Sequence, residues 1–301
     1  MNEDQILNRI RRRALLPRRC HLVKGIGDDC AIYRPPGSPE DLVFTTDLLL
    51  EDVHFRRTTH SPADIGWKAA ARGLSDIAAM GAEPRFCLLS LAVSEDVDQG
   101  WIDRFFRGFF ALIRSHRTPL AGGDLARAAK IACDILICGA LPRGTALLRS
   151  GARPGDSIYV SGVLGGSALG LASLRGRALR RHLRPQPRLA LGRFLREKLG
   201  ATAAIDLSDG LSTDLHRLCR ESRVCAVLDA PIPVFPGAAL EQALHGGEDY
   251  ELLFTVPPQT QVPARFHGLP LTRIGAIRRG ARGKVTFFGL PAPPLGYDHF
   301  R

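Results

Sequence analysis

The sequence predicts an α/β (α+β) protein built as two domains, and three observations carry that expectation. Its 301 residues exceed one small module and suit two units of roughly 150 residues each. Short β-rich runs alternate with helical ones along the chain. A turn-rich stretch, Arg149-Ser150-Gly151-Ala152-Arg153-Pro154-Gly155-Asp156, interrupts that alternation near the midpoint and opens a second unit. The boundary falls just ahead of it, so the expected domains are 1–143 and 144–301.

In the first domain, Cys30-Ala31-Ile32-Tyr33 leaves a glycine turn and stops at Pro35-Pro36-Gly37, which reads as a strand. Residues 42–46 form a second β-rich run. Ser61-Pro62-Ala63-Asp64 starts a helix: serine caps, proline suits the first helical position, and the acid completes a capping-box-like start. The helix runs to about Met80, where Gly81 offers a stop. Residues 85–93 predict a strand, 101–116 an amphipathic helix, and 131–141 a buried strand. In the second domain, 157–161 predict a strand followed by a glycine-rich entry into a helix over 162–171. Residues 203–206 predict a short strand, 211–221 a helix, and 252–288 short strands and turns. The basic, proline-broken segment 180–187 is expected to cross the surface.

Composition narrows the function classes. With 45% hydrophobic and 24% charged residues, the chain is ordinary globular material. No run approaches the ~20 apolar residues of a membrane span, and the best candidate, 131–141, is interrupted by Asp134. The start, Met1-Asn2-Glu3-Asp4 followed by Arg11, Arg12 and Arg13, has no apolar signal core. A soluble, cytoplasmic protein without a membrane partner is expected. Seven cysteines, an odd number with no CxxC pair, argue against a zinc ribbon or a complete disulfide framework. The net charge is +11, and lysine supplies only Lys24, Lys68, Lys130, Lys198 and Lys284. Arginines cluster at Arg9 to Arg19 and Arg175 to Arg196. These clusters lack interleaved aromatics, and no helix-turn-helix, RNP or zinc-finger signature accompanies them. Solvated helix faces and no nucleic-acid partner are expected, with a polyanion-binding surface as the competing reading.

The informative feature is a recurring set of aspartates. Gly25-Ile26-Gly27-Asp28-Asp29 places two carboxylates on a glycine turn, and Thr45-Thr46-Asp47 places another beside two hydroxyls at a strand end. Asp76 sits in an apolar helix, where aspartate has poor propensity. Gly122-Gly123-Asp124 reads as another glycine turn, and Asp206-Leu207-Ser208-Asp209-Gly210 closes a strand and opens a helix. Each alone has a structural explanation: Asp-Gly turns are common, and Asp76 could pair with Arg72 one turn earlier. Their recurrence points to hard oxygen ligands of the kind that suit Mg²⁺ with substrate phosphates. A Walker A pattern is absent. Gly162-Val163-Leu164-Gly165-Gly166-Ser167, opening a helix, is a candidate phosphate cradle, with tight helix packing as the alternative.

These motifs resemble thiamine-monophosphate kinases. Besides the aspartate motifs, the resemblance rests on Val53-His54-Phe55, Leu74-Ser75-Asp76-Ile77-Ala78-Ala79-Met80-Gly81-Ala82, the stretch 149–156, Gly246-Gly247-Glu248-Asp249-Tyr250-Glu251-Leu252 and Tyr297-Asp298-His299-Phe300. The motifs run in family order from residue 25 to 300. One departure is Leu125, where the family usually has threonine. The resemblance implies an aminoimidazole ribonucleotide synthetase-like fold. Its N-terminal sheet domain would bind ATP and Mg²⁺ and pair in a homodimer beside a C-terminal α/β domain. It implies transfer of the γ-phosphate of ATP to thiamine monophosphate, direct and in line, with several Mg²⁺ ions. Asp47, Asp76 and Asp124 would be catalytic. Metal ligands would be Asp28, Asp29, Thr45, Thr46 and Asp47, with Asp76, Asp124, Asp206 and Asp209 completing the set. Gly123, Asp124, Arg149 and Ser208 would contact ATP, and His54, Glu248 and Tyr297 the thiamine moiety. An ATP-dependent ligase or synthetase of the same superfamily is the alternative enzyme.

Overall fold

A computed structural model describes residues 3–14 and 20–300. Arg18 and Arg19 of the first basic cluster lie outside the described residues. The first unit holds α1 (Glu3–Arg13), β1 (Leu22–Lys24), β2 (Ala31–Tyr33), β3 (Glu40–Leu50) and α2 (Pro62–Ala79). It continues with β4 (Glu83–Val93), α3 (Gln99–Ser115), β5 (Leu120–Arg127) and β6 (Ala132–Pro142). Its strands form one sheet in the order β1-β2-β3-β6-β4-β5, antiparallel except for β4 with β5. Side chains alternate across β3, so Val43, Thr45 and Leu49 are buried on one face, whereas Thr46 and Leu48 are exposed on the other.

The second unit begins with β7 (Ser157–Ser161), α4 (Gly166–Ser173), α5 (Gly176–Leu183) and α6 (Leu189–Phe194), which runs on as a π-helical turn to Leu199. Next come β8 (Ala203–Asp206), α7 (Leu211–Ser222), β9 (Cys225–Leu228) and α8 (Leu240–His245). The chain ends with β10 (Leu252–Val256), β11 (Arg265–Phe266), β12 (Leu269–Arg278), β13 (Val285–Phe287) and β14 (Leu290–Pro291). The sheet order is β14-β13-β9-β12-β7-β10-β8, with β11 paired to β12. Among the described residues no helix is long and apolar enough to cross a membrane.

α2 joins the two halves. Ser61 caps it, its Oγ accepting from the Asp64 amide at 3.2 Å and donating to Asp64 Oδ2 at 2.6 Å. Ile65, Ala69, Leu74 and Ile77 join a core that also takes in Leu191, Leu195, Ala204 and Phe254 from the second unit. Enclosed in this way, α2 still carries Lys68, Arg72, Ser75 and Asp76 at helical spacing on one face.

Residues 3–13, to which the sequence reading assigned no element, form a helix. Two parts differ from the expectation. The segment 120–127 is a strand rather than a turn: β4 supplies its hydrogen-bonding partner, so this exposed, glycine-rich edge needs no apolar alternation of its own. A Cβ on Gly123 would lie 1.8 Å from the Leu89 carbonyl oxygen, so only glycine fits this approach of the strands. The segment 180–187 does not simply cross the surface, because it includes the end of α5 and buries His182. Arg181 and Arg188 turn inward to Glu251, which is fully buried and also accepts from Ser161 Oγ at 2.5 Å.

Candidate functional site

The two units enclose a cavity of about 810 Å³. At one end the loop before β2, the helix α2 and the end of β8 bring carboxylates together. Oxygens of Asp29, Asp76 and Asp206 lie within 4.8 Å of one another. Thr45 Oγ1 donates to Asp76, and Ser75 Oγ donates to Asp206 Oδ2 at 2.6 Å. Burial, and then the charges of Asp47, Asp206 and Asp29, push the Asp76 carboxyl well above the usual carboxylate range. Burial and Asp29 do the same to Asp206. Asp29 Oδ1 accepts from Arg149 Nη2 at 2.6 Å, while its buried Oδ2 has no hydrogen-bond partner. Such a group of hard, mutually repelling oxygens with an unpartnered buried atom fits a divalent cation.

The other expected ligands surround this group unequally. Asp28 is turned to Lys24 at 3.0 Å and to the Arg149 amide at 3.1 Å. Asp47 lines the cavity but accepts from Arg72 at 2.8 Å, so Arg72 pairs with Asp47 and not with Asp76. Asp209 pairs with Arg217, which also reaches Asp214 at 3.0 Å. Thr46 lies on the opposite sheet face from Thr45. Gly123 and Asp124 are exposed on the edge strand, and Asp124, opposite Ser90, is not brought to the three carboxylates. Ser208 lines the cavity and accepts the Glu248 amide at 2.7 Å through its carbonyl.

The far end of the cavity is built differently. Glu248 and Tyr250 have φ of +63° and +49°, conformations costing about 1–3 kcal/mol each for side-chain-bearing residues. Glu248 Oε2 accepts from Lys68 Nζ at 2.8 Å, and Lys68 is wholly buried. Burial opposes the Glu248 charge, but Lys68, His182 and Arg72 outweigh it and bring its pKa to about 2. His54 Nδ1 accepts the Leu50 amide at 3.0 Å, and burial followed by the Arg72 charge lowers its pKa to about 3. Tyr297 and His299 meet edge-on at 4.8 Å, and His299 meets His54 at 5.0 Å, forming an aromatic wall.

Sequence reasoning did not single out Lys68, His60 or His182. The available signal for Lys68 was the polar residues at 68, 72 and 76 in an otherwise apolar helix. The glycine-rich entry to α4 is not free to cradle phosphate. Asp249 occupies it, accepting from the Gly165 amide at 2.5 Å and the Ser167 amide at 3.1 Å. Gly165, at φ +84°, supplies the left-handed residue that aims these amides.

Comparison with known proteins follows the same division. Residues 27–141 match the AIR synthase related protein, N-terminal domain, and residues 153–287 match the corresponding C-terminal domain. Thiamine-monophosphate kinase of Escherichia coli K12 is 40% identical over 304 aligned positions, covering 92% of this chain and 91% of that one. The Bacillus subtilis protein of that name is 34% identical, covering 96% and 98%. Among solved structures, AaThiL complexed with AMPPCP and TMP has a TM-score of 0.88 at 32% identity, covering 99% of this chain and 97% of that one. The thiamine-monophosphate kinase of Stenotrophomonas maltophilia K279a has a TM-score of 0.78 at 38% identity, covering 96% and 98%. The hydrogenase maturation protein HypE, at 19% identity and a TM-score of 0.68, shares the fold.

Proposed function

The chain belongs to the thiamine-monophosphate kinase family, and on that premise we propose how its cavity divides the work of the reaction. The protein is a kinase that uses ATP to phosphorylate thiamine monophosphate to thiamine diphosphate. The observation that carries the division is one cavity walled by a carboxylate group at one end and by the Glu248 wall at the other.

Asp29, Asp76 and Asp206 would hold Mg²⁺, with Asp47 and Asp209 the next carboxylates on the cavity wall. Bound there, Mg²⁺ would neutralise triphosphate charge and polarise the transferring phosphoryl group. Arg149, already paired to Asp29, and Ser208 would meet the nucleotide. His54, Glu248 and Tyr297 would orient the thiamine moiety, its thiazolium cation facing an ionised carboxylate and an aromatic ring. An oxygen of the acceptor phosphate attacks the γ-phosphorus, the bond to the β-bridging oxygen breaks, and ADP leaves. That oxygen is already anionic at neutral pH, so the chain supplies position rather than a strong base.

Homodimerisation is part of this reading. The outer face of the first sheet presents Leu48, with Phe44, Leu88 and Leu136 only half-buried, and Asp124 lies on that face. A second copy would cover it. The proposed domain division is 1–143 and 144–301, with the metal group drawn from both: Asp29 and Asp76 from the first domain and Asp206 from the second. A cytoplasmic location fits seven free thiols and an ATP co-substrate. The test is ADP release with thiamine monophosphate, thiamine and aminoimidazole-type substrates side by side, with and without Mg²⁺. Turnover with thiamine monophosphate alone, dependent on Mg²⁺, is expected. Turnover with an aminoimidazole substrate instead would replace this reading with the synthetase one.

A further inference from the structure

Arg72 stands where the two ends of the cavity meet, and the reaction above gives it no task. α2 carries it one helical turn after Lys68 and one before Asp76, and it lines the cavity. Its Nε and Nη2 both donate to Asp47 Oδ1, at 3.1 and 2.8 Å. Its Nη1 lies 3.9 Å from Glu248 Oε1, too far for a hydrogen bond, and has no hydrogen-bond partner among the described residues. One guanidinium thus spans the gap between a carboxylate beside the metal group and the carboxylate of the opposite end. The side chain is only 13% exposed, and its neighbours Ala71 and Gly73 are buried, so the enclosed helix holds it in place.

Asp47 differs in this from the carboxylates around it. Asp76 and Asp206 accept from hydroxyls, and Asp29 keeps one buried oxygen without a hydrogen-bond partner, which leaves this group short of positive charge. Asp47 already has a full positive charge in contact. A guanidinium does not give up its proton at working pH. A divalent ion drawn to Asp47 would therefore meet a permanent like charge on the same carboxylate.

We propose that Arg72 is a resident cation of the transfer centre: it holds Asp47 in place of a metal ion and turns its Nη1 donors to the phosphoryl oxygens that pass between the two substrates. The inference rests on the kinase reading and deepens it. Under that reading the triphosphate lies at the Asp29, Asp76 and Asp206 end and the thiamine moiety at the Glu248 end, so the reacting phosphates meet beside Arg72. As the bond from the acceptor oxygen to the γ-phosphorus forms and the bond to the β-bridging oxygen breaks, charge is spread over the oxygens of the transferring group. A planar fork of N–H donors anchored on one side by Asp47 is suited to meet those oxygens on the other.

The test counts metal ions directly. Mn²⁺, followed by the paramagnetic resonance signal of the free ion, is titrated into the protein with a non-hydrolysable ATP analogue. Asp47→Asn is expected to bind as many Mn²⁺ ions as wild type, because Arg72 already occupies Asp47. Arg72→Met frees that carboxylate and is expected to bind an additional ion, which Arg72→Met/Asp47→Asn should lose again. In turnover, Arg72→Met should lower kcat ~10²-fold or more, with KM for thiamine monophosphate little changed. Arg72→Lys keeps the charge without the fork, so it should keep the wild-type Mn²⁺ count and recover part of kcat. A lower count in Asp47→Asn, an unchanged count in Arg72→Met, or wild-type kcat in Arg72→Met would overturn the proposal. Should Arg72→Met fail to fold, the count in Asp47→Asn and in Arg72→Lys decides by itself. Absence of Mn²⁺ binding, or of turnover with thiamine monophosphate, in the wild-type protein would instead overturn the reading on which the proposal rests.

Discussion

The two ends of the cavity bury carboxylates under opposite electrostatic conditions. At one end, Asp29, Asp76 and Asp206 face one another, and Asp76 and Asp206 are pushed well above the usual range. At the other, Glu248 sits against Lys68 and is pulled down to about 2. Counter-charge in contact separates them: among the described residues Asp76 and Asp206 meet only the hydroxyls of Thr45 and Ser75, whereas Glu248 meets the Lys68 ammonium. A group without one demands a cation from solution, whereas a group with one stays charged and is free to orient an organic ligand. α2 serves both, presenting Lys68 to one end and Asp76 to the other.

The largest expected effect comes from breaking the compensated end. Lys68→Met takes the buried ammonium from the partly exposed Glu248 carboxylate and leaves it only Arg72 at 3.9 Å; breaking a buried pair costs up to about 3–5 kcal/mol. Denaturant unfolding should show this loss, with most of it recovered in Lys68→Met/Glu248→Gln. A loss below about 1 kcal/mol would mean that the pair behaves as a surface bridge.

Asp76→Asn breaks the uncompensated end. Turnover should fall ~10²–10³-fold, while the melting temperature in chelator should rise, because one of three repelling charges is gone. A fall in both would identify Asp76 as a structural group.

The ends should also separate by pH. Asp76 and Asp206 are raised in the folded state, so their contribution is full below pH ~4 and is lost as pH rises through the folded values. Asp214, raised to about 7 by burial and then Asp209, behaves likewise. Glu248 has the opposite sign: its contribution is present above pH ~4.5 and lost as pH falls through about 2. Metal-free protein should therefore lose stability from pH 5 to 7 at up to ~1.4 kcal/mol per pH unit per carboxylate. Saturating Mg²⁺ should flatten that slope. Chemical unfolding across the range, with and without Mg²⁺, measures both.

The smallest effect is expected from Ser61→Ala, which removes the cap of the helix that both ends share. About 1 kcal/mol of stability should be lost, with the dependence on Mg²⁺ and KM for thiamine monophosphate unchanged. A selective change at one end would show that α2 does not hold them as a unit.

What was legible in the sequence was local. Ser61-Pro62-Ala63-Asp64 announces its own helix, and the aspartates at glycine turns and strand ends announce themselves by position. The missing parts depend on distant partners. β5 takes its order from β4, and Lys68 meets Glu248 across 180 residues. The entry to α4 has the pattern of a phosphate cradle, and only the fold shows that Asp249 fills it. In the same way, Arg181 and Arg188 belong to a basic cluster in sequence and to a buried ion-pair network in space.

The most direct measurement is a calorimetric titration of Mg²⁺, in the presence of a non-hydrolysable ATP analogue, into wild type, Asp206→Asn and Glu248→Gln. Asp206→Asn is expected to lose most of the Mg²⁺ binding heat, and Glu248→Gln to bind Mg²⁺ as wild type does. Retained binding in Asp206→Asn, or its loss in Glu248→Gln, would contradict the assignment of the cation to one end of the cavity and the organic substrate to the other.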